Sequence, residues 1–329
     1  MGNSTIKLDR TIIHGADEKV MRFIDEWMDE TDCVLAHTSG STGTPKPIRL
    51  LKQDMLQSAR ATCEFFGINE TSTMVMPLSV DYIAGKMMIV RAMVSGAILW
   101  IEAPSNSPLI QNYGDIDLLP VVPSQILSII DKSNNRQIKN LIVGGGAIPA
   151  NMETKLIASG INAYSTYGMT ETCSHVALRK IAHEQDLYEA LPGIRFSTDD
   201  RDCLIVNAPD FSFEKLQTND IVEFVDDAHF KWVGRYDNVI NTAGIKVFPE
   251  EVEKVLSIII DAPFYIIGTP DDKWGEAVTL YIEGKIVDVD NIEKQTRCLL
   301  DRYRVPKKII CVDRFERTES GKIKRVRLS

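Results

Sequence analysis

The sequence predicts an α/β protein: a large N-terminal part with mostly parallel sheets and helices, then a small α+β unit. Three observations lead to that class. Short apolar runs at 97–101, 118–123 and 141–143 are separated by helical stretches such as 124–132, the rhythm of strand–helix–strand units around a buried sheet. Residues 87–94 are apolar almost all round, with one cation, Arg91, among them, and a helix of that kind is buried. From residue 239 onward the chain has strands and helices of its own within about ninety residues, a normal domain size. At 329 residues the whole chain has room for about two domains.

Composition narrows the function. A hydrophobic fraction of 44% and a charged fraction of 25% are ordinary for a globular protein. A net charge of -9 argues against a broad basic surface for nucleic acid. Arg314 to Arg327 is the exception, with six Lys/Arg against two Glu: a solvated basic tail, or a face that meets polyphosphate. The six cysteines (33, 63, 173, 203, 298, 311) are scattered without C-x-x-C, and the five histidines lack metal-ligand spacing. The economical expectation is a reduced, cytoplasmic, zinc-free chain. There is no secretory h-region. Met1-Gly2 is followed by Ile6 where myristoylation needs Ser or Thr, and no apolar run approaches membrane length. The expected partners are small molecules, with no nucleic acid and no membrane insertion, and a homo-oligomer stays open.

Taken in order, residues 16–30 put Val20, Phe23, Ile24 and Met28 on one stripe with Trp27 alongside, a surface helix. Residues 33–36 read as a buried strand, and 48–50 resume an extended pattern. Between them stands Thr38-Ser39-Gly40-Ser41-Thr42-Gly43-Thr44-Pro45-Lys46. Its glycines let backbone N–H groups turn inward, the hydroxyls add donors around a concave anion site, and Lys46 brings a mobile positive charge. Pro45 occupies the place of the second Walker A glycine, so this is no P-loop. Held between two strands, it reads as a cradle more than a linker. A helix over 52–66 ends at Gly67, and a third spans 77–99. Arg91 inside it must meet an anion, because an unpaired buried arginine costs several kcal/mol. That anion is an internal Asp or Glu, or a ligand. Lys86 can instead snorkel to water.

The strand at 141–143 runs into Gly144-Gly145-Gly146, which lets a flat ring or a backbone lie against the chain, or simply turns it. Without G-x-G-x-x-G it is no Rossmann site. A strand at 161–165 leads to Tyr167-Gly168-Met169-Thr170-Glu171-Thr172. This offers a ring for stacking, a hydroxyl, and a single hard-oxygen ligand of the kind Mg²⁺ accepts. His175 reads as structural. Thr218-Asn219-Asp220 reads as a turn between β-rich runs at 204–206 and 221–224, and the Asp220 carboxylate suits a bidentate task. Trp232 to Ile240 and a loop over 241–246 precede a helix opened by Pro249. Strands at 262–268 and 278–283 and a helix at 292–303 lead to Arg317-Thr318-Glu319-Ser320-Gly321-Lys322-Ile323-Lys324.

The 38–46 loop, the Tyr167–Thr172 string, the Trp232–Ile240 string and the Lys322 segment together resemble the adenylate-forming superfamily. That family comprises acyl- and aryl-CoA ligases, luciferases and peptide-synthetase adenylation domains. The resemblance covers residues 33–329 and is narrowest to short o-succinylbenzoate–CoA ligases. It implies ATP-dependent, Mg²⁺-assisted conversion of a carboxylic acid to an acyl-adenylate, then a thioester with coenzyme A, in menaquinone biosynthesis. Another acid–CoA ligase is the alternative, as is an amino-acid adenylation domain, whose substrate amine Asp81 would meet. A non-catalytic nucleotide-binding module is a third reading.

The resemblance also assigns roles. Thr38, Ser39, Gly40, Ser41, Thr42, Gly43 and Lys46 would hold phosphates, and Gly144, Gly145, Gly146, Tyr167 and Gly168 would meet the base. Thr170 would take the α-phosphate, Glu171 the metal, Asp220 the ribose, and Arg235 the nucleotide. Tyr82 (where many relatives carry histidine), Lys86 and Arg91 would face the acid, with Arg91 on the substrate's distal carboxylate. Asp237 would be the pivot of a 235–238 hinge between residues 1–234 and a mobile 239–329. Gly244 would let the pantetheine arm pass, beside Lys246, where arginine is common. Lys322 would be the catalytic lysine, with Lys324 its near neighbour. Asn219 stands where the family has glycine, and positive φ is expected there. Only 37 residues precede the loop, where relatives usually have a substantial subdomain, so that part is expected to be missing or replaced.

Overall fold

Parallel pairing is confined to places where helices return the chain. The strands Leu119–Val121, Leu141–Val143 and Ala163–Gly168 lie parallel, joined through the helices Ile126–Ser133 and Ala150–Ser159, as crossover connections require. In a separate four-stranded sheet, Ile98–Ile101 runs parallel to both Thr11–His14 and Thr73–Met76. Beyond Ala163–Gly168 the nine-stranded sheet continues antiparallel, through His175–Lys180, Tyr188–Ala190, His229–Arg235, Glu214–Phe224, Cys203–Ala208 and Arg195–Thr198. The α/β class holds with a mixed sheet, because these later connections are too short for crossover helices. The computed structural model describes residues 5–8, 11–37, 46–133, 137–284, 288–318 and 323–327. The loop residues 38–45 and Lys322 lie outside the described residues.

The helix Ile83–Ser95 is the buried one its composition predicts, with Met87, Met88, Ile89 and Val90 all at 0% exposure. It is shorter than 77–99. Gly96 caps it in the left-handed conformation (φ 76°), and Ile98–Ile101 pairs as a strand. Lys52–Phe66 ends at Gly67 in the same way, and the surface helix Glu18–Met28 buries Val20, Phe23 and Ile24. The strand Cys33–His37 alternates in burial, with Leu35 half exposed, so it is a half-buried strand.

Two other expectations change. Thr218, Asn219 and Asp220 lie inside the continuous strand Glu214–Phe224, and Asn219 is not among the residues with positive φ. The segment stays extended, with Thr218 and Asp220 on the buried face, although the register with Cys203–Ala208 jumps from Gln217 to Ile221 in an irregularity these three residues occupy, and only Asp220 of them pairs on the other side, with Arg235. The 241–246 loop is a hairpin between Ile240–Thr242 and Ile245–Val247. Ala243 (φ 51°) and Gly244 (φ 80°) form its two-residue turn, the left-handed pair a tight hairpin needs.

These two strands belong to a five-stranded sheet with Phe264–Asp271, Gly275–Glu283 and Lys308–Val312. Among the described residues no strand pairing links this sheet to the nine-stranded one. Its core includes Ile240, Val247, Val278, Leu280 and Ile282, with Val252 and Leu256 from the helix Pro249–Leu256. Among the described residues of the basic C-terminal stretch, three arginines are tied to the sheet and its helix. Arg317 pairs with Glu283 at 2.7 Å, Arg325 with Glu253 at 2.7 Å, and Arg327 with Glu276 at 3.4 Å.

Candidate active site

The cradle's frame is described although its tip is not. Cys33–His37 and Pro47–Leu51 pair antiparallel from Cys33↔Leu51 to His37↔Pro47, anchored by the buried Val34, Ala36 and Leu50. Lys46, just before the second strand, is exposed. Arg49 ties the two strands by donating to the Cys33 sulfur from Nη2 at 2.9 Å and Nε at 3.2 Å.

Carboxyl ends of parallel strands are where α/β sheets bind ligands, and Gly144–Gly146 and Tyr167–Glu171 stand there. A Cβ on Gly144 would lie 2.6 Å from Thr166 Oγ1, whereas one on Gly146 would meet nothing within 4 Å. The open side is therefore at Gly146. Gly168 has a different reason to be glycine: a Cβ would lie 2.2 Å from the Ser174 carbonyl oxygen. The cause is an irregularity between the last residues of Ala163–Gly168 and the first of His175–Lys180.

Tyr167 packs edge-on against Phe230 (5.1 Å) and Tyr188 (5.9 Å), and its hydroxyl donates to Asp220 Oδ2 at 2.8 Å. Burial, reinforced by that carboxylate, holds the phenol well above its ordinary range. Asp220 Oδ1 also accepts from Trp232 Nε1 at 3.3 Å, with Arg235 Nη1 at 3.6 Å. Arg235 in turn reaches Asp237 at 3.5 Å. The structure thus gathers Tyr167, Asp220, Arg235 and Asp237 across the Asp220↔Arg235 register. A carboxylate has about four acceptor positions; this one accepts two hydrogen bonds from its own chain, with the Arg235 guanidinium beyond hydrogen-bond distance, so about two positions stay open. Trp232 was not singled out as a site residue by sequence. Its only signal was strand alternation facing it toward Asp220.

Thr170–Thr172 is a short 3₁₀ turn, with Thr170 buried and Glu171 exposed. Thr172 Oγ1 fixes it by donating to the Ser174 carbonyl at 2.7 Å. Among the described residues no three His, Cys, Asp or Glu side chains could hold a metal together. Glu171, a single hard-oxygen donor, fits Mg²⁺ only as one ligand among phosphate and water oxygens.

The three acid-facing candidates are not brought together. Tyr82 caps the helix and is exposed. Lys86 is buried, 3.8 Å from Glu26 Oε2 and 4.4 Å over the Phe23 ring, so it does not snorkel. Burial lowers its pKa. Asp81, the residue for a substrate amine, is paired with Lys19 at 2.5 Å.

Arg91 is 2% exposed. Its Nη2 donates to Ser174 Oγ at 2.6 Å, Nη1 lies 3.6 Å from the Met88 sulfur, and Nε has no partner. Among the described residues no carboxylate pairs with it. Its surroundings are neutral: Ser174 bonds Ser58 at 3.1 Å, and Thr62 bonds His175 Nε2 at 3.2 Å. Burial, then the nearby guanidinium, hold His175 far below its ordinary value, and burial raises the Cys63 thiol although Arg91 opposes it. Burial also brings Arg91 itself down to about 10. Ser174, which sequence reasoning missed and no local pattern marks, joins the two halves. Its hydroxyl meets Arg91 and its carbonyl packs on Gly168, next to Tyr167.

Residues 6–207 match the family described as AMP-binding enzyme. A 2-succinylbenzoate–CoA ligase from Listeria monocytogenes is 25% identical, covering 95% of this chain and 73% of that protein. Among solved structures, an acyl-CoA synthetase (AMP-forming)/AMP-acid ligase II-like protein from Dyadobacter fermentans is 30% identical, with a TM-score of 0.63 and coverage of 93% of this chain and 91% of that one. An o-succinylbenzoate CoA synthetase from Bacillus subtilis, solved with its acyl-adenylate intermediate, gives a TM-score of 0.78 at 22% identity, over 88% of this chain and 67% of that one.

Proposed function

The chain belongs to the AMP-binding enzyme family, and from that premise we propose that it is an acid–CoA ligase acting on o-succinylbenzoate. A carboxylate oxygen attacks the α-phosphorus of ATP, forming the acyl-adenylate and releasing pyrophosphate. The sulfur of coenzyme A then attacks the acyl carbon, and AMP leaves with the bond electrons. Both first-step reactants are anions, so positioning and charge neutralisation dominate.

The residues divide accordingly. The 38–46 loop holds the β- and γ-phosphates, Gly144–Gly146 and Tyr167 meet adenine, Asp220 and Arg235 take the ribose side, and Thr170 faces the α-phosphate. Glu171 would hold Mg²⁺, which neutralises phosphate charge when bound. Lys322 bridges the attacking carboxylate and the α-phosphate, a role typically worth about 3–4 kcal/mol, or on the order of a thousandfold in rate. Its neighbours are anchored: Arg317 and Ile323 bridge, and Arg325 is held by Glu253. Residues 1–234 and 239–329 act as two units about the 235–238 hinge, so that rotation withdraws Lys322 and presents Gly244 and Lys246 to the thiol. The scattered cysteines, and the lack among the described residues of a helix long and apolar enough to cross a membrane, are compatible with a cytoplasmic enzyme.

The observation that carries the acid assignment is Arg91, a buried guanidinium in a neutral shell with one nitrogen unpartnered. It suits an acid with a second carboxylate. The test is pyrophosphate release over a panel of acids, with and without coenzyme A. o-Succinylbenzoate should be the preferred acid, and Lys322→Ala should lose adenylation while sparing thiolysis of supplied acyl-adenylate. Equal loss of both half-reactions would overturn the lysine's role, and no release with any acid would overturn the reading.

A further inference from the structure

The turn between the two large sheets, Tyr236–Asn238, is gripped by all three of its side chains. The Arg201 guanidinium lies 4.9 Å over the Tyr236 ring. Asn219 donates its amide to Asp237 Oδ2 at 3.3 Å, and Asn238 donates to Glu250 Oε1 at 2.5 Å. The first two grips involve partly or largely exposed groups, and contacts of that kind contribute little.

Glu250 is different. It stands on the first turn of Pro249–Leu256, whose Val252 and Leu256 are core to the five-stranded sheet, so it travels with the C-terminal part. Yet its side chain is only 8% exposed, pressed on Gly234 of the nine-stranded sheet. A Cβ on Gly234 would lie 2.6 Å from Glu250 Oε2. That oxygen is buried and has no hydrogen-bond partner. Arg325 Nη1, three residues along the chain from Lys322, lies 3.7 Å from Oε1.

A buried carboxylate oxygen without a donor is costly, and the cost disappears once water reaches it. Any rotation of the C-terminal part about the turn must draw Glu250 away from Gly234. The other described contacts across this junction are few: Ala150 N–H to Ser257 Oγ at 3.3 Å, Asn151 Nδ2 to Asp261 Oδ1 at 3.4 Å, Lys254 to Asp186 at 3.0 Å, and an apolar group that includes Val233 and Phe248.

We propose that Glu250 is a positioning residue: its unpartnered oxygen offsets the contacts that hold the C-terminal part in this orientation, and so leaves the part free to leave it. The inference rests on the two-step reading above, because only an enzyme that must alternate orientations gains from a hinge balanced this way. Glu250→Gln keeps an acceptor for Asn238 and removes the buried charge, so the present orientation should gain.

Two measurements test it. Adenylation, read as pyrophosphate release without coenzyme A, and thiolysis of supplied acyl-adenylate should change in opposite directions in Glu250→Gln, with their ratio shifting about tenfold or more. Glu250→Asp, which restores the charge, should return the ratio to within about threefold of wild type. Equal changes in both steps, or an unmoved ratio, would overturn the proposal. The second measurement needs no substrate. Spin labels at Lys155→Cys and Lys294→Cys, with Cys33, Cys298 and Cys311 replaced by serine, report the distance between the two parts. Glu250→Gln should narrow that distribution, and an unchanged distribution would overturn the proposal. If wild type activates no acid, the parent reading fails, and the label distances still decide the role of Glu250.

Discussion

Replacing Arg91 with methionine should leave the protein at least as stable and much poorer at its reaction. Burial brings the guanidinium from 12.5 down to about 10, and at about 1.36 kcal/mol per unit the charged form costs the fold roughly 3 kcal/mol. For a base with a lowered folded pKa this cost is complete at neutral pH and is relieved only as pH rises through the folded value, so pH 7 shows it in full. Against it stands the bond to Ser174 at 2.6 Å, about 1.5–3 kcal/mol for a charged donor. The variant's net change is therefore between about zero and 2 kcal/mol in its favour. An arginine paired with an internal carboxylate would instead cost about 3–5 kcal/mol to remove.

Urea denaturation of both proteins gives the first quantity. Pyrophosphate release with o-succinylbenzoate and with benzoate gives the second. kcat/KM for o-succinylbenzoate should fall by roughly ten- to 150-fold, while benzoate changes by less than about threefold. Saturating o-succinylbenzoate should raise the Tm of wild type and not of the variant. A variant more than about 2 kcal/mol less stable, with its preference between the acids intact, would show that Arg91 is structural and refute the argument.

Other consequences can be measured with the same assays. Burial, partly offset by Arg325, pushes the Glu253 carboxyl up to about 7. A raised acid pKa gives stability that is complete below the unfolded value and lost as pH rises through the folded one, so wild type should lose roughly 3 kcal/mol relative to Glu253→Gln between pH 4.5 and 7; parallel stability curves would exclude this. Asp220→Asn should raise the KM for ATP about tenfold or more with less effect on kcat, since two hydrogen-bond donors and the Arg235 guanidinium converge on that charge; a KM within about twofold of wild type would remove Asp220 from the nucleotide site. Gly168→Ala forces a Cβ against the backbone oxygen of Ser174 and should cost about 1–3 kcal/mol of stability by thermal unfolding; an unchanged Tm would show that the turn yields.

What the sequence made legible was whatever repeats along the chain. Met87 to Val94 announced a buried helix because apolarity on every face has one outcome, and Gly67 marked a helix end because only glycine takes a left-handed cap at no cost; Gly96, read as helix interior, caps the buried helix in the same way. The Asp220 segment misled because three turn-forming residues carry local preference only, whereas the pairs that bracket them, Gln217 with Ile205 and Ile221 with Cys203, keep the strand running and reduce the expected turn to an irregularity within it. Lys86 and Arg91 looked alike as cations in one apolar helix. Five residues apart, they face opposite neighbours, and only packing shows that one finds Glu26 while the other finds hydroxyls. Ser174 left no trace, since its role comes from a close backbone approach to Gly168 and not from its neighbours in sequence.

That arrangement has a consequence for how the acid is chosen. A site that hydrogen-bonds its substrate usually rejects an analogue by 10⁴–10⁵, roughly, because a polar group loses its water and gains no partner. Here the guanidinium has lost its water before any substrate arrives: it is 2% exposed and Nε is unpartnered. An acid without a second carboxylate therefore incurs no new penalty, and it only forgoes the gain. Discrimination should stop near the worth of one charge-assisted contact, about 1.5–3 kcal/mol, or roughly ten- to 150-fold. For such an acid, wild type and Arg91→Met should be equally good catalysts. If benzoate were activated much faster by the variant than by wild type, the penalty would be incurred on binding after all, and the guanidinium would have to be hydrated in the free enzyme.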